Sequence, residues 1–245
     1  MIPDKKMSSK LFLTLLAIGF NAAAFPQGFV QCGSRKVPYE NNYNDHFEMV
    51  IHSPYEEVDT SAIPKKIMEN SSEYLYYRAG PEFYGQLVFY CAQVVDFKKY
   101  KQIKKERPFV DEKLADKRVK YCLQYYFNLQ GLKYYFTLVY DEDGFRLSDN
   151  FVPERATNRI FDRTIDICLA TYIAETDTVF PGPIKSMRLE YLPSKNTFAW
   201  IARKETVPKG ETTPVTRFLI IDANRGQILN RQEVKGTGPC KLSGF

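Results

Sequence analysis

The chain has 245 residues, a formal net charge of +5, and 44% hydrophobic and 26% charged residues. This composition excludes an intrinsically disordered chain and provides enough apolar residues for a sizeable core. The small basic excess is compatible with an anionic partner but does not require one. The 17 Tyr and 18 Phe, against one Trp, favour β structure.

Residues 1–24 have the pattern of a secretory signal peptide. Three lysines precede the uncharged run LFLTLLAIGF, and the small residues of NAAAF follow it. The apolar run is too short for a transmembrane anchor, so no stable membrane insertion is expected once the signal is removed. We therefore expect a secreted mature chain that begins at Phe25.

Secretion makes disulfide bonds possible. The five cysteines form an odd set, which leaves one thiol over or an intermolecular bond, and the sequence alone does not fix the pairing. Cys91 lies in an apolar run and is predicted to be a buried thiol. The disulfide candidates are Cys32, Cys122, Cys168 and Cys240. No cysteine or histidine cluster has zinc-site spacing, and neither a metal nor another cofactor is predicted.

The first half of the chain is predicted to be rich in strands. HFEMVIH, residues 46–52, alternates and predicts a strand, which the proline of SPYEE interrupts. AIPKKIMENSS predicts a short helix after Pro64, and Asn70 in NSS is a candidate glycosylation site. EYLYYRAG and QLVFYCAQVVDF predict two strands joined through GPEFYG. The basic segment KKYKQIKKERP is interpreted as a solvated connection rather than a phosphate-binding surface.

Residues 109–245 are predicted to mix helices and hairpins. FVDEKLADKRVKYCLQYY favours a helix whose end could instead enter a strand, and LKYYFTLVYDEDGFRLS predicts a hairpin. The best helix is predicted in DNFVPERATNRIFDRTIDICLATYIAE, with Pro153 in its first turn. Two strands follow, and then a second hairpin around the turn DANRG.

These elements predict an α+β protein with antiparallel sheets and a packed helix, because the strands do not alternate regularly with helices. A weak boundary near residues 147–152 divides the mature chain into two units. The first is a strand-rich unit of residues 25–149, and the second is a unit of residues 150–245.

Both histidines of the chain, His46 and His52, lie close to the acidic pair Glu56 and Glu57. A histidine near a glutamate is the pattern of general acid–base catalysis. The favoured interpretation is nevertheless a polar strand surface. Two histidines without a carboxylate at ligand spacing do not make a metal site.

Three segments resemble fungal ribonucleases. VPYENNYNDHFEMVIHSPYEEV resembles the part of small guanyl-preferring fungal ribonucleases that contains their catalytic strand. TRFLIIDANRGQILNRQEVKGTGPC resembles their C-terminal arginine strand, turn, strand and final cysteine. FVQCG is similar to the aromatic-x-cysteine motif of the secreted ribonuclease-like effectors of powdery-mildew fungi. The resemblance implies a microbial-ribonuclease-like fold, either as two ribonuclease-like units in tandem, residues 25–149 and 150–245, or as one unit with a large insertion.

The same resemblance implies roles for single residues in phosphoryl transfer within RNA. Glu57 falls at the position of the family's glutamate base, and Arg217 at that of its phosphate-binding arginine. Tyr39 and Val234 fall where the family has histidines, so the catalytic set is incomplete. A disulfide from Cys240 to an N-terminal or helical cysteine is also implied.

We therefore expect a secreted, non-catalytic ribonuclease-like effector that binds a host protein or RNA and promotes fungal infection. RNA binding uses tyrosines that stack on bases and basic groups that contact phosphates. The candidate contacts are Tyr39, Tyr55, Arg217 and Arg225. For the tyrosines, sheet packing is the alternative. Two other functions are an active ribonuclease that uses Glu57 with His46 or His52, and a secreted structural or interaction protein with no nucleic-acid role.

Overall fold

The computed structural model describes residues 27–40, 55–58, 60–95, 118–129, 132–207, 210 and 214–235. The elements in these ranges are, in chain order, β1 (Gln27–Cys32), β2 (Arg35–Glu40), β3 (Tyr55–Val58), α1 (Lys65–Ala79), α2 (Pro81–Tyr84), β4 (Val88–Val95), β5 (Tyr121–Leu129), β6 (Leu132–Tyr140), α3 (Ile167–Thr176), β7 (Ile184–Leu192), β8 (Thr197–Thr206), β9 (Val215–Asp222) and β10 (Ile228–Lys235). The predicted α+β class is confirmed.

The strands form two sheets that divide the chain in an unexpected way. A six-stranded sheet has the order β1-β2-β7-β8-β9-β10, and a four-stranded sheet has the order β3-β4-β5-β6. Every pairing is antiparallel except that of β2 with β7, which is parallel and formed at Tyr39 and Met187. Strands from both ends of the described chain thus build one sheet, and the segment between them supplies the other.

This topology resembles an insertion more closely than a tandem repeat. β1 and β2 belong to the first predicted unit, yet they lie in the same sheet as the strands of the second. The predicted boundary between residues 149 and 150 therefore does not separate the two sheets.

A single hydrophobic cluster joins the sheets. Phe198 of β8 lies at its centre, with ring centroids 5.2 Å from Phe127 of β5 and 5.2 Å from Tyr134 of β6. Phe161, from the segment before α3, packs on the same ring at 6.1 Å. Because aromatic packing crosses from one sheet to the other, the two sheets share one core.

Helix α1 replaces a predicted strand. Residues 73–80 were expected to be extended because three tyrosines lie among them, but α1 runs on to Ala79. Its buried residues recur every fourth position, at Ile67, Ser71, Leu75 and Ala79. This spacing places them on one helix face, and burial of that face overrides the β propensity of the tyrosines.

Helix α3 is shorter than predicted. It begins at Ile167, and the Asp166 side chain accepts a hydrogen bond of 2.6 Å from the backbone N–H of Leu169 as an N-cap. The residues before it form turns. One reason is that the Asn196 side chain accepts a hydrogen bond from the backbone N–H of Glu154 at 2.8 Å, which fixes this segment against the turn between β7 and β8.

The remaining predictions have mixed outcomes. The strands β4, β7 and β8 and the β9–β10 hairpin are confirmed. The end of the segment predicted as a helix or a strand enters β5 at Tyr121, so the strand alternative is confirmed there. Strand β6 pairs mainly with β5, with only a single bridge from Tyr140 to Arg146 after its turn. Tyr55–Val58 forms a strand where a break was expected. Residues 46–52 and the basic segment of residues 98–108 lie outside the described residues.

Candidate functional site

A disulfide bond joins Cys32, at the end of β1, to Cys168, in the first turn of α3, with Cα atoms 5.3 Å apart. It links positions that are 136 residues apart in the chain. Cys32 and Cys168 are bonded to each other, so neither can pair with Cys240 while this bond is intact. Cys240 itself lies outside the described residues.

The positions that the ribonuclease resemblance singles out do not come together. Glu57 lies on β3 opposite Gln93, in the four-stranded sheet, whereas Arg217 lies on β9 of the six-stranded sheet. Tyr39 shares a sheet with Arg217, but β7 and β8 lie between their strands, a separation of roughly 14 Å at the usual strand spacing. His46 and His52 lie outside the described residues.

Arg217 already has partners. Its Nε donates to Glu233 at 2.9 Å, its guanidinium also donates to the Thr206 hydroxyl at 3.2 Å, and its charged carbon lies 5.5 Å from the ring centre of Phe180. A phosphate at this position must compete with the Glu233 carboxylate for the same donor. Arg217 therefore serves as a strand-to-strand ion pair in this structure.

The other proposed RNA contacts have different surroundings. Arg225 is exposed in the β9–β10 turn, and its backbone N–H donates to Asp222 at 3.0 Å. The Tyr39 ring packs over Gly28, where an added Cβ would lie 2.3 Å from the ring. The Tyr39 ring therefore packs against β1 in this structure. Tyr55 lies on β3 opposite Val95.

The loop after α3 is closed by charged groups. Lys204 is buried, and its ammonium donates to the carbonyl oxygens of Ala174 and Phe180. Burial lowers the pKa of Lys204, although the nearby Asp177 opposes this effect. Asp177 accepts hydrogen bonds from Arg231, which hold the pKa of its carboxyl below the usual value despite burial. These groups thus hold the loop after α3 through hydrogen bonds to one another and to the backbone.

Charges on the outer side of the six-stranded sheet are paired in the same way. Arg203 forms ion pairs with Glu40 at 3.5 Å and with Glu205 at 3.0 Å. Beside them is a shallow open cleft lined by Glu40, Lys133 and Arg188 among others.

The four-stranded sheet has a core face and a second face, which we call the polar face. Helix α1 packs on the core face, where the Ser71 and Tyr125 hydroxyls lie 2.7 Å apart and burial raises the pKa of Tyr125 to about 12. Strand alternation places a different set on the other side. The polar face comprises Tyr90, Cys91, Gln93, Cys122, Gln124, Tyr126, Lys133, Tyr135 and Thr137.

Three buried side chains of the polar face have atoms without a hydrogen-bond partner. These atoms are Oε1 of Gln93, Nε2 of Gln124 and the hydroxyl of Thr137. The three residues are 5%, 1% and 0% exposed, respectively. Gln124 and Thr137 are directly opposite each other on β5 and β6, and the other amide atom of Gln124 accepts a bond of 3.2 Å from the Cys91 thiol. Buried polar atoms are nearly always paired, and single unpartnered atoms also occur at Tyr140, Thr164, Arg188 and Arg203.

Tyrosines lie beside these atoms. Tyr90 is the extra residue of a β-bulge in β4, because Phe89 faces Tyr125 and Cys91 faces Gln124. Its ring lies 6.2 Å from that of Tyr126 and 5.7 Å from that of Tyr135. Bulges re-aim side chains and are over-represented beside functional sites.

The polar face was not predicted from the sequence. Gln93 and Gln124 are the polar members of apolar strand runs, and Thr137 is a common strand residue. The available signal was the alternation Cys122, Gln124, Tyr126 along β5, but it lay in a segment for which helix and strand were both left open.

Asn70, the glycosylation candidate, lies in α1 and is half-buried. Its side-chain nitrogen, the atom that would carry a glycan, donates to the Gly144 carbonyl oxygen at 3.1 Å. Glycosylation at this position requires that contact to be broken.

Within the described ranges, no helix is long and apolar enough to cross a membrane, and no group of three metal-ligating side chains occurs. Comparison of the chain with protein-family models, with curated proteins and with solved structures finds no match. The likeness to fungal ribonucleases therefore stays a prediction from the sequence.

Proposed function

We propose that the protein is a secreted, ribonuclease-like effector that binds a host protein or RNA without cleaving RNA, and that it promotes fungal infection in this way. The assignment to a host rests on the sequence resemblance. The Cys32–Cys168 bond supports secretion, because disulfides persist in oxidising compartments.

The observation that carries binding rather than cleavage is the division of Glu57 and Arg217 between two sheets. Cleavage of RNA needs a base, an acid and a phosphate-binding group within hydrogen-bond reach of one phosphodiester. Arg217 is in addition neutralised by Glu233. The separation of these two residues supports binding over cleavage.

The test is incubation of the mature, oxidised protein with labelled single-stranded RNA, with cleavage and binding followed across a salt series. We expect no cleavage by the wild type or by Glu57→Gln. The matched control is Glu142→Gln, which changes an exposed acid in the turn after β6. Cleavage by the wild type and the control that is lost in Glu57→Gln would instead establish an active ribonuclease.

A further inference from the structure

The six-stranded sheet ends in two edge strands of different character. Within the described residues, β1 pairs only with β2, and β10 pairs only with β9. An edge strand offers unpaired backbone groups to another chain, and charged side chains are a common protection against such pairing. Strand β10 has this protection, since Arg231 and Glu233 are both exposed. Strand β1, with the sequence QGFVQC, contains neither a charged residue nor a proline.

The turn of the β1–β2 hairpin determines which backbone groups of β1 point outwards. Only Gly33, with a φ of +61°, and Ser34 connect Cys32 to Arg35, which lie directly opposite each other. A two-residue turn is closed by a hydrogen-bonded pair, and such pairs alternate along an antiparallel ladder. Cys32 and every second residue before it therefore bond to β2. The backbone groups that point away from β2, which we call the β1 edge, are those of Gln27, Phe29 and Gln31.

Phe29 is the central residue of the β1 edge. Its side chain is 63% exposed, whereas that of Val30 packs against the core cluster. It lies opposite Pro38, which has no N–H to donate, in agreement with a pair that is not hydrogen-bonded. The Cys32–Cys168 disulfide ties the end of β1 to α3, so the strand does not have to be ordered when a partner binds. Addition of another strand would bury the ring and satisfy the outward backbone groups.

The sequence of β1 favours a second copy of the same strand as the partner. The segment QGFVQ, residues 27–31, reads nearly the same in both directions about Phe29. Two such strands, antiparallel about a two-fold axis, place Phe29 opposite Phe29 of the second copy and Gln27 opposite its Gln31. All three outward-pointing positions then form hydrogen-bonded pairs, with about six backbone hydrogen bonds in total. No like charges meet, because the strand has none.

From these observations we propose that two copies of the protein associate through their β1 edges, so that their six-stranded sheets join into one continuous sheet. Phe29 packs against Phe29 of the second copy at the two-fold axis. The contact involves one strand from each copy, so the association is weak, with a dissociation constant in the micromolar range. This inference goes beyond the proposed function and does not depend on it, since it involves neither RNA nor a host protein.

The experiment measures sedimentation velocity of the mature, oxidised full chain at about 1 to 200 μM protein, where a weak dimer forms. Phe29→Lys places two ammonium groups opposite each other and should weaken dimerisation about ten-fold or more. The matched control is Phe145→Lys, which changes another phenylalanine of similar exposure, 70%, in the loop after β6. It should leave the dissociation constant within about two-fold of the wild-type value. Thermal unfolding by circular dichroism confirms that each variant is folded.

A mixture of two variants tests the register of the paired strands. Phe29→Glu alone should weaken dimerisation as Phe29→Lys does, because like charges again lie opposite each other. An equimolar mixture of the two variants should associate about three-fold or more tightly than either variant alone. Opposite charges face each other in the mixture only if position 29 of one copy lies opposite position 29 of the other. A mixture that associates no better than its components would overturn this register.

The other outcomes would also overturn the proposal. A wild type that stays monomeric at every concentration would leave the β1 edge to a strand from another protein. A dimer that Phe29→Lys does not weaken, including one joined by an intermolecular disulfide, would place the contact elsewhere on the molecule. Growth beyond dimers would indicate that β1 of one copy pairs with β10 of the next, which is an open arrangement without a two-fold axis.

Discussion

The two sheets differ in how fully their buried polar groups are paired. In the six-stranded sheet even a buried ammonium is satisfied, since Lys204 donates to two carbonyl oxygens. Arg217 and Arg203 have carboxylate partners there, although Nε of Arg203 makes no hydrogen bond of its own. In the four-stranded sheet, Gln124 and Thr137 are more deeply buried than those arginines and also keep unpartnered atoms. The difference between the sheets is therefore one of degree.

The largest change in stability is expected from loss of the Cys32–Cys168 disulfide, which links β1 of the six-stranded sheet to α3. The double variant Cys32→Ser/Cys168→Ser frees a closed loop of more than a hundred residues, and it should lower the free energy of unfolding by about 2–5 kcal/mol. Urea denaturation of the oxidised proteins measures this change. Ser34→Ala, in the exposed turn of the same hairpin, is the control and should stay within about 0.5 kcal/mol of the wild type. An equally small change in the double variant would show that the β1–β2 hairpin does not depend on the bond.

The next largest change in stability is expected from loss of the ion pair between Asp177 and Arg231, which holds the loop after α3. Asp177→Asn should lower the free energy of unfolding by about 1–3 kcal/mol at pH 7, because a buried carboxylate loses its charge-assisted bonds. The folded-state pKa of Asp177 is depressed below 3.8, chiefly by the hydrogen bond from Arg231. Its contribution is therefore present above the unfolded pKa and is lost as the pH falls through the folded value.

Measuring the free energy of unfolding of both proteins from pH 7 to acidic pH tests whether the contribution of Asp177 is lost as the pH falls. The difference between wild type and Asp177→Asn should shrink below about pH 3.8, the unfolded-state value. Glu142→Gln, at an exposed position, serves as the control. A difference that stays constant down to acid would mean that the carboxylate charge does not stabilise the loop.

The sequence predicted the fold class and most strands of the six-stranded sheet, because their apolar runs are framed by clear turns such as DANRG. It failed where tertiary contacts decide the structure. Tyrosines at 74, 76 and 77 suggest a strand, but the buried spacing of Ile67, Ser71 and Leu75 makes a helix. The pairing of β2 with β7 joins residues about 150 positions apart, and no local pattern encodes it.

The site was less predictable than the fold. Resemblance assigned roles to Glu57 and Arg217 one at a time, but a site also requires that strands bring its residues together, and β3 and β9 lie in different sheets. The polar face depends on the register of β4, β5 and β6 and on a bulge at Tyr90. Register follows from pairing, which the sequence of a single strand does not contain.

The smallest expected effect comes from replacing one buried threonine by valine in each sheet. This comparison is the most direct one, because the free energy of unfolding should change with opposite sign in the two sheets. Thr197 is buried on β8, and its hydroxyl lies 2.9 Å from the Asn224 side-chain oxygen, so Thr197→Val should destabilise the protein by about 1 kcal/mol. Thr137 is buried on β6 with no partner for its hydroxyl, so Thr137→Val should stabilise it by about 1 kcal/mol. Urea denaturation of both variants measures the pair. Loss of stability in both would show that the Thr137 hydroxyl is hydrogen-bonded in solution.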